Sequence, residues 1–258
     1  MRSPSDRFAA MQSQGGRDYQ EDDYGILDDR ASAAKESEHT LLVVADGMGG
    51  HAAGEQASKI VAETLIDSYE QAEGGIPERL SEALKKANDH LATSIVEDHV
   101  LDGMGTTVVA AVVANGQLHW ISVGDSPMWL FRKGKLKRVN EDHSMAPVLQ
   151  ELVDAGRITA EDMQMHPKRN ALRSAVMGDE IDLVDASEKP IKLQAEDIIV
   201  ISSDGLQTLS DKKIAKIVND NKNEAYLQTP AKLIEAVEKE DKPNQDNTTV
   251  VTYSIELE

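Results

Sequence analysis

An α+β fold, with mainly antiparallel β-sheets and helices packed on their outer faces, is what this chain of 258 residues predicts, on three observations. Apolar, β-branched runs outnumber the helical stretches, most runs join the next through hairpin chemistry, and the helices come in pairs. A doubly wound parallel sheet would instead alternate strand with helix along the chain. The length suits one domain over residues 1–258 that buries a large core without crosslinks. Two Trp, two Phe and five Tyr are few, so that core is aliphatic.

The elements follow in order. The start, MRSPSDRFAAMQSQ, is polar and lacks the apolar stretch of a signal peptide. Residues 17–27, RDYQEDDYGIL, read as a loop leading into a first strand, and 28–39 as a polar connection. Strand 41–45 (LLVVA) meets Asp46-Gly47 and then a helix from about Glu55 to Tyr69. Gly74-Gly75-Ile76-Pro77 breaks the chain, with Pro77 suited to a helix N1 position. A second amphipathic helix covers about 78–98, its Leu80, Leu84, Ala87, Leu91 and Ile95 having core spacing. From Gly105 the period drops to two. Runs on either side of Asn115-Gly116 make a hairpin with a type I′ signal, and MWLF and LKRV make a second around residues 132–135. A helix over APVLQELVDAG ends at Gly156, suited to the C′ position. Thr159, with Asp162 three residues on, starts a short helix with a near capping box, and HPKRN (166–170) is a turn. Strand-like segments at 181–185, 190–193 and 198–201 lead to Asp204-Gly205. Ser210 then caps a helix, Thr229-Pro230 starts the last one, and 248–255 is the final strand.

Composition removes several functions. No cysteine is present, which excludes disulfides, thiolate metal sites and a Cys nucleophile. With 46 acidic against 27 basic residues the formal net charge is −19, which repels nucleic-acid phosphates and anionic membranes. The longest apolar run, Thr106 to Ala114, is about half the roughly 20 residues needed to span a bilayer. A cytoplasmic protein is expected.

The chemistry lies in the aspartates. Strand-like runs end at Asp46, Asp125 and Asp204, and another begins after Asp246, so these carboxylates collect at a sheet edge. Asp22 joins them, although taken alone it reads as a solvated loop acid. Carboxylates packed together repel unless protons or cations neutralise them, and hard oxygen ligands favour Mg²⁺ or Mn²⁺ over zinc. Both Asp-Gly pairs are followed by helical periodicity, which places them at strand-to-helix junctions rather than in hairpin turns. Gly47-Met48-Gly49-Gly50-His51-Ala52 also satisfies the G-x-G-x-x-A dinucleotide pattern. A second helix follows where that reading needs a parallel strand, and Asp46 would face the pyrophosphate. A P-loop is excluded, since no Gly-Lys-Ser/Thr occurs.

RDYQED, VVADGMGGH, GTT, VGDS, SSDG and DNTTVV, in that order between Arg17 and Val251, together resemble the metal-dependent Ser/Thr protein phosphatases of type 2C, the PPM family, in their bacterial form. The resemblance implies a four-layer α-β-β-α sandwich of two mainly antiparallel sheets flanked by helix pairs. It also implies two Mn²⁺ or Mg²⁺ ions. Asp46 matches the bridging carboxylate, the Gly47 carbonyl a ligand of one ion, and Asp204 and Asp246 ligands of the other. Glu21 and Asp22 match the acidic pair that holds metal-bound waters, Arg17 matches the arginine that grips the substrate phosphate, and Asp125 with Asp204 matches a third-metal site. Residues from about 143 to 178 are similar to the mobile flap of bacterial members. The implied reaction is direct hydrolysis of phosphoserine or phosphothreonine by a water bridging the two ions. The implied partners are phosphorylated protein substrates, targets of a Ser/Thr kinase, with no nucleic acid or membrane. The alternatives are another two-metal phosphoester hydrolase, or a non-catalytic binding module on the same scaffold. Three positions depart from the family pattern: Met48 stands where some relatives have His, Pro127 where Arg usually follows Gly-Asp-Ser, and Gln20 where Asn is usual. His51 is the nearest imidazole, at a helix start where a structural role is expected.

Overall fold

The computed structural model describes residues 7–28, 39–50, 52–98, 101–221 and 228–256. One sheet has the order β1 (Phe8–Ser13), β12 (Thr248–Ser254), β11 (Ile198–Ser202), β7 (Met128–Arg132), β8 (Lys135–Arg138). The other runs β10 (Ile191–Lys192), β6 (Gln117–Val123), β5 (Val108–Ala114), β3 (His39–Met48), β2 (Asp22–Asp28), with β4 (Gly105–Thr106) on β3 and β9 (Asp185–Ala186) on β6. Every pairing is antiparallel.

The strands are apolar on both faces because both faces are buried, and their two-residue period sorts side chains between layers. In β3, Leu41, Val43 and Ala45 pack with helices α1 (Ala52–Gln71) and α2 (Ile76–Glu97), while Leu42 and Val44 face the opposite sheet. In β11, Ile199 and Ile201 fill the inter-sheet layer, while Ile198 and Val200 pack with α5 (Asp211–Asn221) and α6 (Thr229–Glu238). Helix pair, sheet, sheet and helix pair make the four layers expected.

The turn chemistry behaves as the sequence predicts. Asn115 and Gly116 have φ of 50° and 69°, the two left-handed residues a type I′ turn requires. Lys133 and Gly134 repeat this at 51° and 78°, so the second hairpin closes on two residues. Thr159 and Asp162 form a complete capping box at the start of α4 (Ala160–Gln164). After α3 (Ala146–Asp154), Gly156 adopts the left-handed conformation.

Several expectations are corrected. FAAMQS, in the stretch taken for a polar start, is β1, which pairs with β12 along its full length. Residues 181–184 are not strand, and only Asp185–Ala186 pairs there. Asp204 opens a 3₁₀ turn over Asp204–Thr208 ahead of α5. β3 continues through Met48, so Asp46-Gly47 lies within the strand and not at a junction. The connection at 29–38, His51 and the first six residues lie outside the described residues.

Candidate active site

The sheets converge their acids at one end. Register pairs Asp22 of β2 directly with Asp46 of β3. In the facing sheet Ser202 pairs with Val250, so Asp204, two residues beyond β11, and Asp246, two before β12, emerge side by side. Asp125 sits in the link from β6 to β7, which crosses between sheets at this same end after a left-handed Gly124 (φ 100°). Asp22 is therefore no solvated loop acid: it is 5% exposed, because β2 carries it into the space between the sheets.

Hydroxyl and amide groups beside the acids fix them in place. Thr106 Oγ1 and the Thr107 N–H both donate to the Asp46 carbonyl at 2.9 Å, and Thr107 Oγ1 accepts from the Asp46 N–H. Thr107 Oγ1 also meets Ser126 Oγ at 2.7 Å. Ser203 Oγ and Thr249 Oγ1 donate to Asp22 Oδ2 at 2.7 and 2.8 Å, tying the two sheets together through one carboxylate. Asn247 Oδ1 accepts from the Glu21 N–H, and its amide donates to the Gln14 and Tyr19 carbonyls. Glycines permit the approach. A Cβ on Gly47 would overlap the Gly54 and Glu21 carbonyl oxygens, and one on Gly205 would overlap the Asn247 carbonyl. The glycines at 47 and 54 thus serve close packing of β3, α1 and Glu21, not a pyrophosphate cradle.

The cluster is electrostatically unsatisfied. Burial pushes Asp22 up to about 7, against the two hydroxyl bonds, with Asp204 and Asp246 adding repulsion. Burial and then Asp22, Asp204, Asp125 and Asp246 hold Asp46 well above the carboxylate range. Burial, Asp204 and Asp142 raise Asp125 to about 7, and burial with Asp246 raises Asp204 to about 6 although Arg17 opposes it. Asp22 Oδ1 is buried with no hydrogen-bond partner. Carboxylates whose ionisation is opposed by burial and by one another's charge would be relieved by a cation. The donor set, all hard oxygen, fits Mn²⁺ or Mg²⁺. Among the described residues no three acidic or imidazole side chains are grouped closely enough to hold an ion as they stand.

An open cleft of about 370 Å³ lies over the cluster, lined by Asp125, Asp142, Asp204 and Asp246, with Arg169 and Lys242 in its wall. Arg17, half exposed at the rim, donates from Nη2 to Asp246 Oδ2 at 2.6 Å. The 143–178 stretch supplies Ser144, Ala146, Arg169 and Asn170 to the wall, and its Val176 bridges to Thr106. Sequence reasoning missed Asp142 as a cleft acid and the scaffold role of Thr107, Ser203, Thr249 and Asn247. Their signal was the polar residue set beside each aspartate in GTT, SSDG and DNTT. Two of the three departures are also accounted for. A cation absent at Pro127 is supplied from β8: Arg138 donates to the Asp125 carbonyl at 2.8 Å and to Asp142 Oδ2 at 3.1 Å. Gln20 Oε1 accepts from the Asp22 N–H at 3.0 Å, steadying the turn into β2.

A four-layer sandwich with cation-seeking carboxylates at one end of its inter-sheet layer is the architecture of the metal-dependent phosphatase class. The chain belongs to the protein phosphatase 2C family, whose model matches residues 25–247. Serine/threonine protein phosphatase PstP of Mycobacterium tuberculosis is 34% identical over 217 residues, covering 83% of this chain and 40% of PstP. Serine/threonine phosphatase stp of Listeria monocytogenes is 31% identical over 198 residues, 75% of this chain and 74% of the relative. The chain thus spans 40% of the length of the mycobacterial relative it matches. The crystal structure of M. tuberculosis PstP/Ppp superposes with a TM-score of 0.79 at 32% identity, covering 97% of this chain and 99% of that one. The PstP catalytic domain in complex with two manganese ions gives 0.75 at 30% identity, over 96% and 97% of the chains.

Proposed function

We propose that this chain is a metal-dependent protein phosphatase that hydrolyses phosphoserine and phosphothreonine in protein substrates, using two Mn²⁺ or Mg²⁺ ions. The observation that carries this reading is the convergence of aspartates from both sheets at one end, four of them with ionisation opposed by burial and by one another's charge. Asp46 and the Gly47 carbonyl, with Asp204 and Asp246 from the facing sheet, are the groups that would hold the ions. Glu21 and Asp22 would anchor waters around them, and Asp125 with Asp204 a third ion. When bound, such ions lower the pKa of a water and offset the charge of the phosphoryl oxygens, which supports direct hydrolysis without a phosphoenzyme.

The rest falls to side chains. Ser203 and Thr249 hold the Asp22 carboxylate, and Thr106 and Thr107 hold the backbone of Asp46, so part of the site is positioned before substrate arrives. Arg17 has donors besides the Nη2 bonded to Asp246, and these would grip the substrate phosphate in the forked geometry that Lys cannot reproduce. The 143–178 stretch would be a flap over the cleft. Among the described residues no helix is long and apolar enough to cross a membrane, and a cytoplasmic setting with substrates of a Ser/Thr kinase belongs to the same reading.

The test offers a phosphothreonine peptide, p-nitrophenyl phosphate and single-stranded DNA to the purified protein, with Mn²⁺ or with chelator. Release of phosphate from the peptide should require Mn²⁺ and fall by about a thousandfold or more in Asp46→Asn and in Asp204→Asn. Arg17→Ala should raise KM for the peptide about tenfold, the loss of one charge-assisted contact. Activity that survives chelation, or is unchanged in both aspartate variants, would contradict the reading.

A further inference from the structure

On the side of the sandwich where β8 and β10 are edge strands, the inter-sheet layer opens into a groove of about 720 Å³. Its floor is Trp120, Leu130, Val139 and Ile191, all members or neighbours of the core between the sheets. Its walls are basic. Five of the nine lining residues are Lys or Arg and none is acidic, in a chain with 46 acids and 27 bases. Arg132 is neutralised by Asp197 and Arg138 by Asp142. Lys133, Lys135 and Lys137 have no ion pair among the described residues. Register places Lys137 opposite Leu130 and Lys135 opposite Arg132, so both lysines stand beside the apolar floor.

Lysines on an edge strand also discourage sheet-to-sheet aggregation. That purpose explains lysines on β8 itself but not a lining that adds Arg132 of β7 and an apolar floor of Trp120, Leu130, Val139 and Ile191. Arg138 stands between the groove and the catalytic cleft: it lines the groove and holds the Asp125 carbonyl and Asp142, both of which line the cleft.

We propose that this groove docks an acidic segment of the protein substrate, a stretch of Asp and Glu around an aliphatic or aromatic anchor, so that the phosphorylated residue beyond it reaches the carboxylate cleft. The assignment rests on the phosphatase reading. Apolar anchors provide the affinity and the lysines the selectivity, which matters because the remainder of the surface repels acidic chains.

Two phosphothreonine peptides test this, identical around the phosphorylated residue and differing in a flanking stretch: acidic residues about a leucine in one, lysines about it in the other. With Mn²⁺, kcat/KM should be about tenfold higher for the acidic peptide, the sum of three exposed charge pairs, and the preference should shrink to about twofold or less in the double variant Lys135→Glu/Lys137→Glu. Hydrolysis of p-nitrophenyl phosphate should be unchanged, which also shows that the variant is folded. Fluorescence anisotropy of the labelled, unphosphorylated acidic stretch, measured without metal, should show the same loss and weaken with added salt. Equal kcat/KM for the two peptides, or a preference undiminished in the double variant, would overturn the proposal. So would a variant that loses binding only to phosphatidylserine vesicles. If no phosphopeptide is hydrolysed while anisotropy still responds to the lysines, the phosphatase reading fails and acidic-peptide binding at the groove stands.

Discussion

Strand β11 has an aspartate near each end, and the two are treated in opposite ways. Asp197, just before it, is 1% exposed, yet Arg132 donates to both its oxygens at 2.8 and 2.6 Å and the Gln194 N–H adds a third bond. At the other end Asp204 joins Asp22, Asp46, Asp125 and Asp246, where hydroxyls bond the Asp22 carboxylate and, among the described residues, the one guanidinium bonded to a cluster carboxylate is Arg17 at the rim. A buried carboxylate with a bidentate cation of its own serves the fold. A crowd of them without one opposes folding, a cost that makes sense if a ligand offsets it.

The sharpest way to break this contrast is to remove one charge at each end. Arg132→Ala leaves Asp197 buried and uncompensated, and should cost about 3–5 kcal/mol, a fall in Tm of about 10 °C. Asp46→Asn removes repulsion, and in the absence of divalent ions should leave Tm unchanged or raise it at about pH 8. Thermal unfolding of both variants in chelator decides the matter. An Asp46→Asn protein destabilised as much as Arg132→Ala would mean that the two ends are alike.

Acidity probes the same contrast with a smaller effect. Asp22 and Asp125 are raised from 3.8 to about 7, and Asp204 to about 6. Between those values the folded, metal-free chain keeps protons that the unfolded chain has released. Their contribution to stability therefore falls as pH rises from about 4 to about 7. His119 and His143, lowered chiefly by burial, work in the other direction, so the comparison belongs between wild type and Asp125→Asn. Wild type should lose about 5 °C more than the variant between about pH 5 and pH 8, and saturating Mn²⁺ should abolish the difference. Parallel Tm curves would show that Asp125 is not held protonated by its surroundings.

Legibility in the sequence followed the strength of local signals. β3, β5 and β11 were readable because burial on both faces makes them largely aliphatic runs, β12 because it is mostly β-branched, and the hairpins because Asn115-Gly116 and Lys133-Gly134 accept positive φ. β1 was not, since FAAMQS lies at a sheet edge where partial burial permits polar residues, and its pairing partner is some 240 positions away. The aspartates were legible as residues and Asp22's burial was not, because register with Asp46 and the hydroxyls of Ser203 and Thr249 are long-range facts. Arg138 and Asp142 carried no motif that separated them from ordinary surface charge. They matter through the place to which β8 and the following loop bring them.

The central claim is that the carboxylate end is built to exchange protons for divalent cations. Calorimetric titration of Mn²⁺ into the metal-free protein at about pH 6.5, in two buffers of different ionisation enthalpy, measures this directly. Binding should release about one proton or more per chain, and both the binding and the release should collapse in Asp46→Asn. Manganese bound without proton release, or bound equally well by Asp46→Asn, would contradict the account.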